Sequence, residues 1–271
     1  MSYGTFMITS LANTQVKNII QLNQKAKARR DMGLFVAEGR KMFEEAPHSW
    51  IHKVYLTEEA ARETSVRERI SREQLAYETV ADNVFRQMSD TQTPQGILTV
   101  LRKPSWSLAD VLQGEDPLLV ILEDLQDPGN AGTILRTGEG AGISGVILTR
   151  QSVDITNPKV IRSTMGSVYR VPYVYVEDVR SVAGLLKEKN IRLYAACLEG
   201  SVPYDSEDYA GAGAFLVGNE GNGLSDEAIR LSDQRIRIPM HGQVESLNAA
   251  MACGILLYEA SRQRRQKEGA K

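Results

Sequence analysis

Two patterns of apolar and polar residues follow each other along the chain. In the first part, Val16, Ile19 and Leu22 recur at helical spacing and predict a helix over residues 14–30. Further apolar and amphipathic runs predict strands at 35–39, 54–56 and 95–101 and a charged helix at 58–70. This part of the chain is therefore expected to form a small α/β domain.

The second part alternates regularly between apolar strands and helices. Leu118–Leu122 is a continuous apolar run, which is typical of a strand buried on both faces. The predicted strands are 118–123, 145–149, 171–176, 192–196, 214–217 and 235–238, and the predicted helices are 130–140, 158–165, 179–189, 225–231 and 246–262. Such alternation indicates a mostly parallel α/β sheet.

A polar stretch around Pro104 separates the two parts. Proline restricts the residue before it and ends regular structure, so the boundary is placed here. The predicted organisation is a first domain at 1–105, a linker at 106–115 and a second domain at 116–271. Met7 is an alternative start, which would make residues 1–6 an extension.

Composition narrows the class of protein. The chain has 271 residues, of which 42% are hydrophobic and 24% charged, as in soluble globular proteins. Its apolar runs are far shorter than the ~20 residues that span a bilayer, so no membrane association is expected. Cys197 and Cys253 are the only cysteines, and both are predicted to be small core residues. This excludes a disulfide scaffold and favours a reducing, cytoplasmic location.

One local concentration of charge contrasts with the overall net charge of -2. Five basic residues and no acidic residue lie between positions 17 and 30. Such a run suits the phosphate backbone of a nucleic acid, although it is also typical of a solvated helix face. The hypothesis is that these residues contact phosphates: Lys25, Lys27, Arg29 and Arg30.

Two familiar motifs are better explained by structure than by chemistry. Gly140–Gly145 has G-x-G-x-x-G spacing, but it ends a helix and precedes a strand, which is the reverse of a dinucleotide-binding loop. It is interpreted as a helix stop, and this argues against a nucleotide-dependent dehydrogenase. His48 and His52 are four residues apart, but no nearby cysteine or third histidine completes a metal site, so no metal is expected.

Three polar loops follow predicted strands and are not explained by packing. They cover residues 124–136, 217–225 and 237–250. In open parallel sheets, ligands bind at the loops that follow the carboxyl ends of the strands. The glycines of the second loop would let backbone approach a ligand closely. Three such loops in one sheet therefore indicate a binding site at that edge.

The sequences of these loops resemble the three motifs of a known family. The matching runs are Asn130-Ala-Gly-Thr-Ile-Leu-Arg136, Gly218-Asn-Glu-Gly-Asn-Gly-Leu224, and Ile238-Pro-Met followed by Glu245-Ser-Leu-Asn-Ala-Ala250. They resemble, in order, motifs 1, 2 and 3 of the SpoU–TrmH family of RNA ribose 2′-O-methyltransferases, which use S-adenosylmethionine. The resemblance implies a knotted (trefoil), mostly parallel α/β catalytic domain that works as a homodimer.

The resemblance also implies roles for individual residues. The positions that would bind the cofactor are Gly218, Asn219, Glu220, Ile238, Met240, Leu247 and Ala249. The catalytic set would be Arg136, Asn130, Glu220, Ser246 and Asn248. Motif 1 of the partner chain would complete the site. Ser246 is also placed to cap the last helix, and His241 receives no catalytic role.

Arg136 matches the family arginine that is proposed to activate the ribose hydroxyl. Methyl transfer needs that hydroxyl in line with the sulfonium methyl and relieved of its proton. A guanidinium is protonated at almost any pH, so a role as a base conflicts with its chemistry. Binding the adjacent phosphate and polarising the hydroxyl is the alternative, and the sequence leaves both open.

The first domain is similar to the L30e-like RNA-binding domain that precedes the catalytic domain in many rRNA-directed members of the family. This similarity rests on residues 35–39 and 93–98. It favours 23S (large-subunit) rRNA as the substrate, because compact tRNA methylases of the family often lack an added N-terminal domain. Methylation of tRNA and a non-catalytic, RNA-binding role in ribosome assembly stay open as alternatives.

Overall fold

A computed structural model of the chain describes residues 7–269. The hypothesis about residues 1–6 lies outside these described residues. The chain divides into two compact units. The first unit extends to Ser105 and also contains Asp154–Tyr169, and the second comprises Trp106–Val153 and the chain from Arg170 onward.

Up to Ser105 the chain forms a small sheet surrounded by short helices. The strands are β1 (Leu34–Glu38), β2 (Ile51–Leu56), β3 (Tyr77–Thr79) and β4 (Ile97–Arg102). The helices are α1 (Thr14–Gln24), α2 (Ala26–Met32), α3 (Arg40–Glu45), α4 (Glu58–Arg62), α5 (Thr64–Glu73) and α6 (Asp82–Met88). The sheet order is β1-β4-β2-β3, with β4 antiparallel to both neighbours and β3 parallel to β2.

Beyond Ser105 the chain alternates between strands and helices as the pattern predicts. The strands are β5 (Leu118–Leu122), β6 (Gly145–Thr149), β7 (Tyr173–Val176), β8 (Arg192–Ala196), β9 (Val202–Pro203), β10 (Gly213–Val217) and β11 (Gln234–Arg237). The helices are α7 (Leu108–Val111), α8 (Pro128–Ala141), α9 (Pro158–Thr164), α10 (Arg180–Glu188), α11 (Asp226–Leu231) and α12 (Ala249–Gly269).

The sheet of the second unit has the order β7-β6-β5-β10-β8-β11-β9, and every neighbouring pair is parallel. Strands β5, β6 and β10 are buried at every position, as continuous apolar runs require. The predicted parallel α/β architecture is therefore confirmed. The trefoil knot implied by the resemblance stays a prediction with which this strand order is consistent.

Helix ends follow local sequence signals. The side chain of Asp127 caps α8 by accepting from the backbone N–H of Asn130, and Pro128 takes the first helical position. Gly142 ends α8 in the left-handed conformation with φ 86°, so the glycine-rich run is a helix stop. The predicted helix at 14–30 is instead two helices, because Lys25 is extended between α1 and α2.

The segment Asp154–Tyr169 packs with the first unit although it follows β6 of the second in sequence. Ile155, Val160 and Ile161 are almost fully buried, and the Tyr169 hydroxyl donates to the Met42 carbonyl at 3.0 Å. The first unit is therefore made from two separate stretches of the chain. The chain passes from one unit to the other three times, after Ser105, Val153 and Tyr169. The boundary predicted near Pro104 corresponds only to the first of these.

Arg29 is a structural residue, and the prediction that it contacts phosphates is wrong. Its side chain is only 3% exposed, and its Nε donates to Asp154 Oδ2 at 2.9 Å. Its Nη1 also donates to the Leu22 carbonyl at 2.8 Å. Helical periodicity turns this residue inward, where a carboxylate and a carbonyl compensate its charge. The other three residues of the predicted set, Lys25, Lys27 and Arg30, are exposed.

No helix within residues 7–269 is long and apolar enough to cross a membrane.

The Asp154 carboxylate should contribute pH-dependent stability. Burial would raise its pKa, but a hydrogen bond from Thr156 and the charges of Lys103 and Arg29 hold the pKa below the ordinary 3.8. Because the folded-state pKa is depressed, this stabilisation is complete above pH 3.8 and is lost as the pH falls through the lower folded value.

Asp154→Asn should therefore lower the free energy of unfolding by about 3 kcal/mol at pH 7, because it leaves Arg29 buried without a charge partner. Urea unfolding at pH 7 and pH 3 measures this, and the gap between variant and wild type should narrow at pH 3. Arg30→Ala, at an exposed neighbouring position, serves as the control and should change stability by less than about 0.5 kcal/mol. An equal gap at both pH values would contradict the assignment.

Candidate active site

The carboxyl ends of β8, β10 and β11 lie side by side, so the loops that follow them meet at one edge of the sheet. Between these loops is a cavity of about 550 Å³. Its wall is formed by the loop after β8, the loop after β10 and the segment that joins β11 to α12. This is where parallel-sheet topology places a ligand site.

All of the predicted cofactor-binding residues line this cavity: Gly218, Asn219, Glu220, Ile238, Met240, Leu247 and Ala249. Ser246 and Asn248 of the predicted catalytic set lie in the same wall, whereas Asn130 and Arg136 do not. The second and third motifs therefore line the cavity, whereas no residue of the first motif does.

A chain of hydrogen bonds joins the three motif loops. The side-chain amide of Asn130 donates from Nδ2 to Glu220 Oε1 at 3.0 Å. Its Oδ1 accepts from Asn248 Nδ2 at 2.8 Å. Because an ionised carboxylate can only accept, Glu220 fixes the orientation of the Asn130 amide, which in turn fixes that of Asn248. We call Glu220, Asn130 and Asn248 the amide relay.

Glu220 is held by the start of α8 as well as by Asn130. The backbone N–H groups of Gln126 and Asp127 donate to its two carboxylate oxygens at 3.1 and 3.0 Å. Burial alone would raise the pKa of this carboxyl, but the hydrogen bonds from Asn130 and the backbone hold the pKa below its usual value. The carboxylate is thus kept ionised, and its charge is balanced by dipoles at a helix N-terminus.

Asn248, rather than Ser246, caps the last helix. The Asn248 Oδ1 accepts from the N–H groups of Ala250 and Met251 at 3.0 and 3.2 Å, and α12 begins at Ala249. The predicted start of this helix at Ser246 is wrong, because a later cap residue satisfies the first free N–H groups. Ser246 is left exposed in the cavity wall.

Gly218 is required by the fold of the second motif itself. A Cβ at this position would lie 2.3 Å from the Gly223 carbonyl carbon and 2.4 Å from the Leu224 nitrogen. The loop therefore closes directly over Gly218, and the Asn219 and Gly223 backbones exchange hydrogen bonds of 3.1 and 2.9 Å. From the sequence, glycine in this loop is predicted to let the backbone approach a ligand closely. In the structure, the group that lies closest to Gly218 is the backbone of Gly223 and Leu224 in the same loop.

Arg136 is not among the residues that line the cavity of its own chain. It lies on α8, is exposed, and pairs with no acidic residue within positions 7–269. The structure therefore does not bring this predicted catalytic residue together with Ser246 and Asn248 in one chain. His241 is also exposed and does not line the cavity.

Sequence reasoning missed one wall of the cavity. Ala196, Cys197, Leu198 and Glu199 follow β8 and line it. Cys197 is half-buried in this wall, so its assignment to the core is wrong, whereas Cys253 is fully buried as predicted. The signal that could have found this wall is the position of these residues directly after an apolar strand.

The cavity wall carries more negative than positive charge. Its charged residues are Glu199, Glu220, Glu245 and Arg237. The Arg237 side chain donates a hydrogen bond to the Ser201 carbonyl. Such a lining favours a cationic ligand. Within positions 7–269, no group of three or more His, Cys, Asp or Glu residues is arranged to hold a metal ion.

Comparison with known families gives two matches that together cover most of the chain. Residues 117–258 match the SpoU rRNA Methylase family. Residues 13–99 match the MRM3-like substrate binding domain. The first match contains all three motif loops, and the second contains the strands of the small sheet except the end of β4.

Individual relatives agree with these matches along nearly the whole chain. The 23S rRNA (guanosine(2553)-2′-O)-methyltransferase RlmP of Bacillus subtilis is 32% identical over 252 residues, covering 93% of this chain and 97% of that protein. An AdoMet-bound rRNA methyltransferase from Sinorhizobium meliloti is 32% identical with a TM-score of 0.85, covering 95% and 97% of the two chains. The SpoU methyltransferase AviRb from Streptomyces viridochromogenes, in complex with AdoMet, is 27% identical with a TM-score of 0.85, covering 94% and 100%.

The closed loop over Gly218 gives a test with a matched control. Gly218→Ala should lower the melting temperature and speed amide exchange over residues 219–223, because its Cβ would collide with backbone. Gly221→Ala in the same loop should do neither, since its Cβ would meet only the Asn219 side-chain oxygen at 3.5 Å. Thermal unfolding and hydrogen exchange of both variants make the comparison. Equal behaviour of the two would show that the loop is not closed in this way.

Proposed function

The chain belongs to the SpoU rRNA methylase family, and from that premise we propose that it transfers a methyl group from S-adenosylmethionine to a ribose 2′-hydroxyl of 23S rRNA. One observation carries this proposal. The motif residues that would bind the cofactor all line a single cavity, and the amide relay joins the three motif loops around it.

The cavity fits S-adenosylmethionine in size and charge. Its volume of about 550 Å³ lies within the range of cofactor sites. The excess of carboxylates in its wall suits a ligand with a sulfonium and an ammonium group. Backbone of the closed 218–223 loop and apolar side chains such as Ile238 and Leu247 would hold the adenosine. When bound, the cofactor supplies an electrophilic methyl group.

The residues of this chain would position the reacting hydroxyl rather than perform covalent chemistry. The amide relay keeps the second and third motifs at a fixed distance from the start of α8. Ser246, exposed in the cavity wall, has a hydroxyl available to the incoming ribose. Alignment of a hydroxyl with the methyl group is the main requirement of such a transfer.

Arg136 would serve the cavity of a second copy of the chain. It does not line its own cavity, and α8, on which it lies, packs against α12. On α12, Met251 and Tyr258 are 61% and 50% exposed at a spacing that places them on one helix face. This exposed apolar surface supports the proposed homodimer. Arg136 would then bind a phosphate next to the target ribose and polarise its hydroxyl, a role that suits a permanently charged guanidinium.

The first unit would select the RNA. Its match to the MRM3-like substrate binding domain supports rRNA over tRNA as the substrate. Lys25, Lys27 and Arg30 are exposed and are proposed to contact phosphates. We propose a cytoplasmic location, where a bacterial rRNA substrate would be found, and no metal requirement.

Substitution of Arg136 should impair methyl transfer without impairing cofactor binding. Arg136→Ala should bind S-adenosylmethionine with wild-type affinity, in the presence of a chelator, because Arg136 does not line the cavity. Its kcat for methylation should fall about 100-fold or more, as when a transition-state contact is lost. Calorimetry and a methyl-transfer assay measure the two effects. Absence of cofactor binding by the wild-type protein and by its RNA complex would refute the proposed function.

A heterodimer tests whether the site spans two chains. One chain would carry Arg136→Ala and the other Gly218→Val, whose side chain would collide with the backbone of Gly223 and disrupt the loop that lines its cavity. The two chains would be co-expressed with different tags. Each homodimer should be inactive. The purified heterodimer should recover about half of wild-type activity, because one of its two symmetric sites is intact. An inactive heterodimer would mean that Arg136 acts at the cavity of its own chain, which contradicts the proposed shared site.

Neutralising the exposed basic residues should weaken RNA binding at every sequence. In the triple variant Lys25→Gln, Lys27→Gln and Arg30→Gln, the negative slope of log affinity against log salt should become shallower by about 2–3. The reason is that each phosphate contact releases counterions from the RNA, and the variant makes fewer such contacts. Filter binding at several salt concentrations measures this slope.

The matched control for this variant neutralises three exposed basic residues of the second unit, namely Lys187, Lys189 and Arg230. Its salt slope should stay at the wild-type value. Equal slopes for both triple variants would mean that the run at 17–30 is only a solvated helix face.

A further inference from the structure

Asp124 has a backbone conformation that residues other than glycine seldom adopt. It follows β5 and precedes the first motif, and its φ of 53° lies in the left-handed region. Among residues 7–269, only Gln74, Met165 and Asn190 share this feature outside glycine. Aspartate tolerates this region better than most residues but is still strained there. Strain of this kind is retained where surrounding contacts require it.

The Thr149 hydroxyl at the end of β6 holds Asp124 in this conformation. The Asp124 N–H donates to Thr149 Oγ1 at 2.9 Å, and the same hydroxyl donates to Asp124 Oδ1 at 2.6 Å. Thr149 is only 3% exposed, so these hydrogen bonds are shielded from water. The aspartate side chain thus locks its own backbone through a buried partner.

The left-handed turn directs the Asp124 carbonyl toward the second motif. This carbonyl accepts from Asn219 Nδ2 at 2.8 Å and from Gln126 Nε2 at 3.2 Å. The other end of the Asn219 amide, Oδ1, accepts from the N–H groups of Gly221 and Asn222 at 2.9 and 3.1 Å. One carbonyl therefore fixes the amide that shapes the loop at 218–223.

We infer that Asp124 is a positioning residue for the cofactor: its strained turn, locked by Thr149, aims a carbonyl at Asn219 and so holds the cavity loop in its binding shape. This inference rests on the proposed function only in naming S-adenosylmethionine as the ligand. Asp124 does not line the cavity and therefore acts through Asn219. It lies outside the motif positions to which the family resemblance assigns roles.

Three substitutions separate the backbone effect from the side-chain effect. Asp124→Asn keeps an oxygen for Thr149 and a residue type that tolerates the left-handed region. Asp124→Ala removes both the oxygen and that tolerance. Thr149→Val removes the buried hydroxyl and leaves Asp124 intact. Gln74→Ala is the matched control, because Gln74 has a φ of 50° at the end of α5 in the first unit.

Two measurements apply to each variant. Calorimetry gives the affinity for S-adenosylmethionine, and hydrogen exchange of the ligand-free protein gives the protection of the Gly221 and Asn222 amides. Asp124→Ala and Thr149→Val should each weaken the cofactor about tenfold and speed exchange at these amides, because the loop loses its fixed shape. Asp124→Asn should stay within about twofold of wild type, and kcat at saturating cofactor should change little in all variants.

The outcomes distinguish this inference from the proposed function. Wild-type protein that fails to bind S-adenosylmethionine would refute the proposed function, while the exchange measurement would still test Asp124. Asp124→Ala with a lowered melting temperature but wild-type affinity and exchange at residues 221 and 222 would overturn the inference. Weakening of cofactor binding by Gln74→Ala to the same extent as by Asp124→Ala would overturn it as well.

Discussion

The carboxylate of Glu220 is the contact on which the geometry of the candidate site depends. It accepts from two backbone N–H groups at the start of α8 and from the Asn130 amide, whose other end accepts from Asn248. Because an ionised carboxylate only accepts hydrogen bonds, this one charge fixes the direction of two amides that would otherwise be free to flip. Three loops that are far apart in sequence are thereby held as one frame, and α12 starts at a defined point because Asn248 caps it.

The residues that line the cavity differ in kind from the residue proposed to act on the ribose. The groups that line the cavity are backbone, apolar side chains and carboxylates, which suit a bound cation. The charged group proposed to act on the ribose, Arg136, lies on α8 and is not part of the lining of its own cavity. We therefore propose that a second chain supplies this guanidinium to the cavity.

Sequence reasoning located the parallel sheet and the motif loops because both depend on local signals. Apolar runs such as Leu118–Leu122 reveal buried strands, and the motif residues sit directly after them. It failed where the determinant is a partner distant in sequence. Arg29 is buried against Asp154, which is 125 residues away in sequence. The sequence around Arg29 contains no signal that predicts this partner. The assignment of 154–169 to the first unit has the same cause. The cap at Asn248 and the exposure of Cys197 in the cavity wall are different, because their signals are local: a cap residue beside Ala249 and a position directly after an apolar strand.

We propose that this chain methylates a ribose hydroxyl of 23S rRNA. The most direct measurement is to incubate the purified protein with isotopically labelled S-adenosylmethionine and either unmodified 23S rRNA or unmodified tRNA, and then to digest each RNA to nucleosides for mass spectrometry. We expect label in a single 2′-O-methylated nucleoside of 23S rRNA and none in tRNA. Label on a base, label only in tRNA, or no transfer by a protein that binds both cofactor and RNA would contradict this proposal.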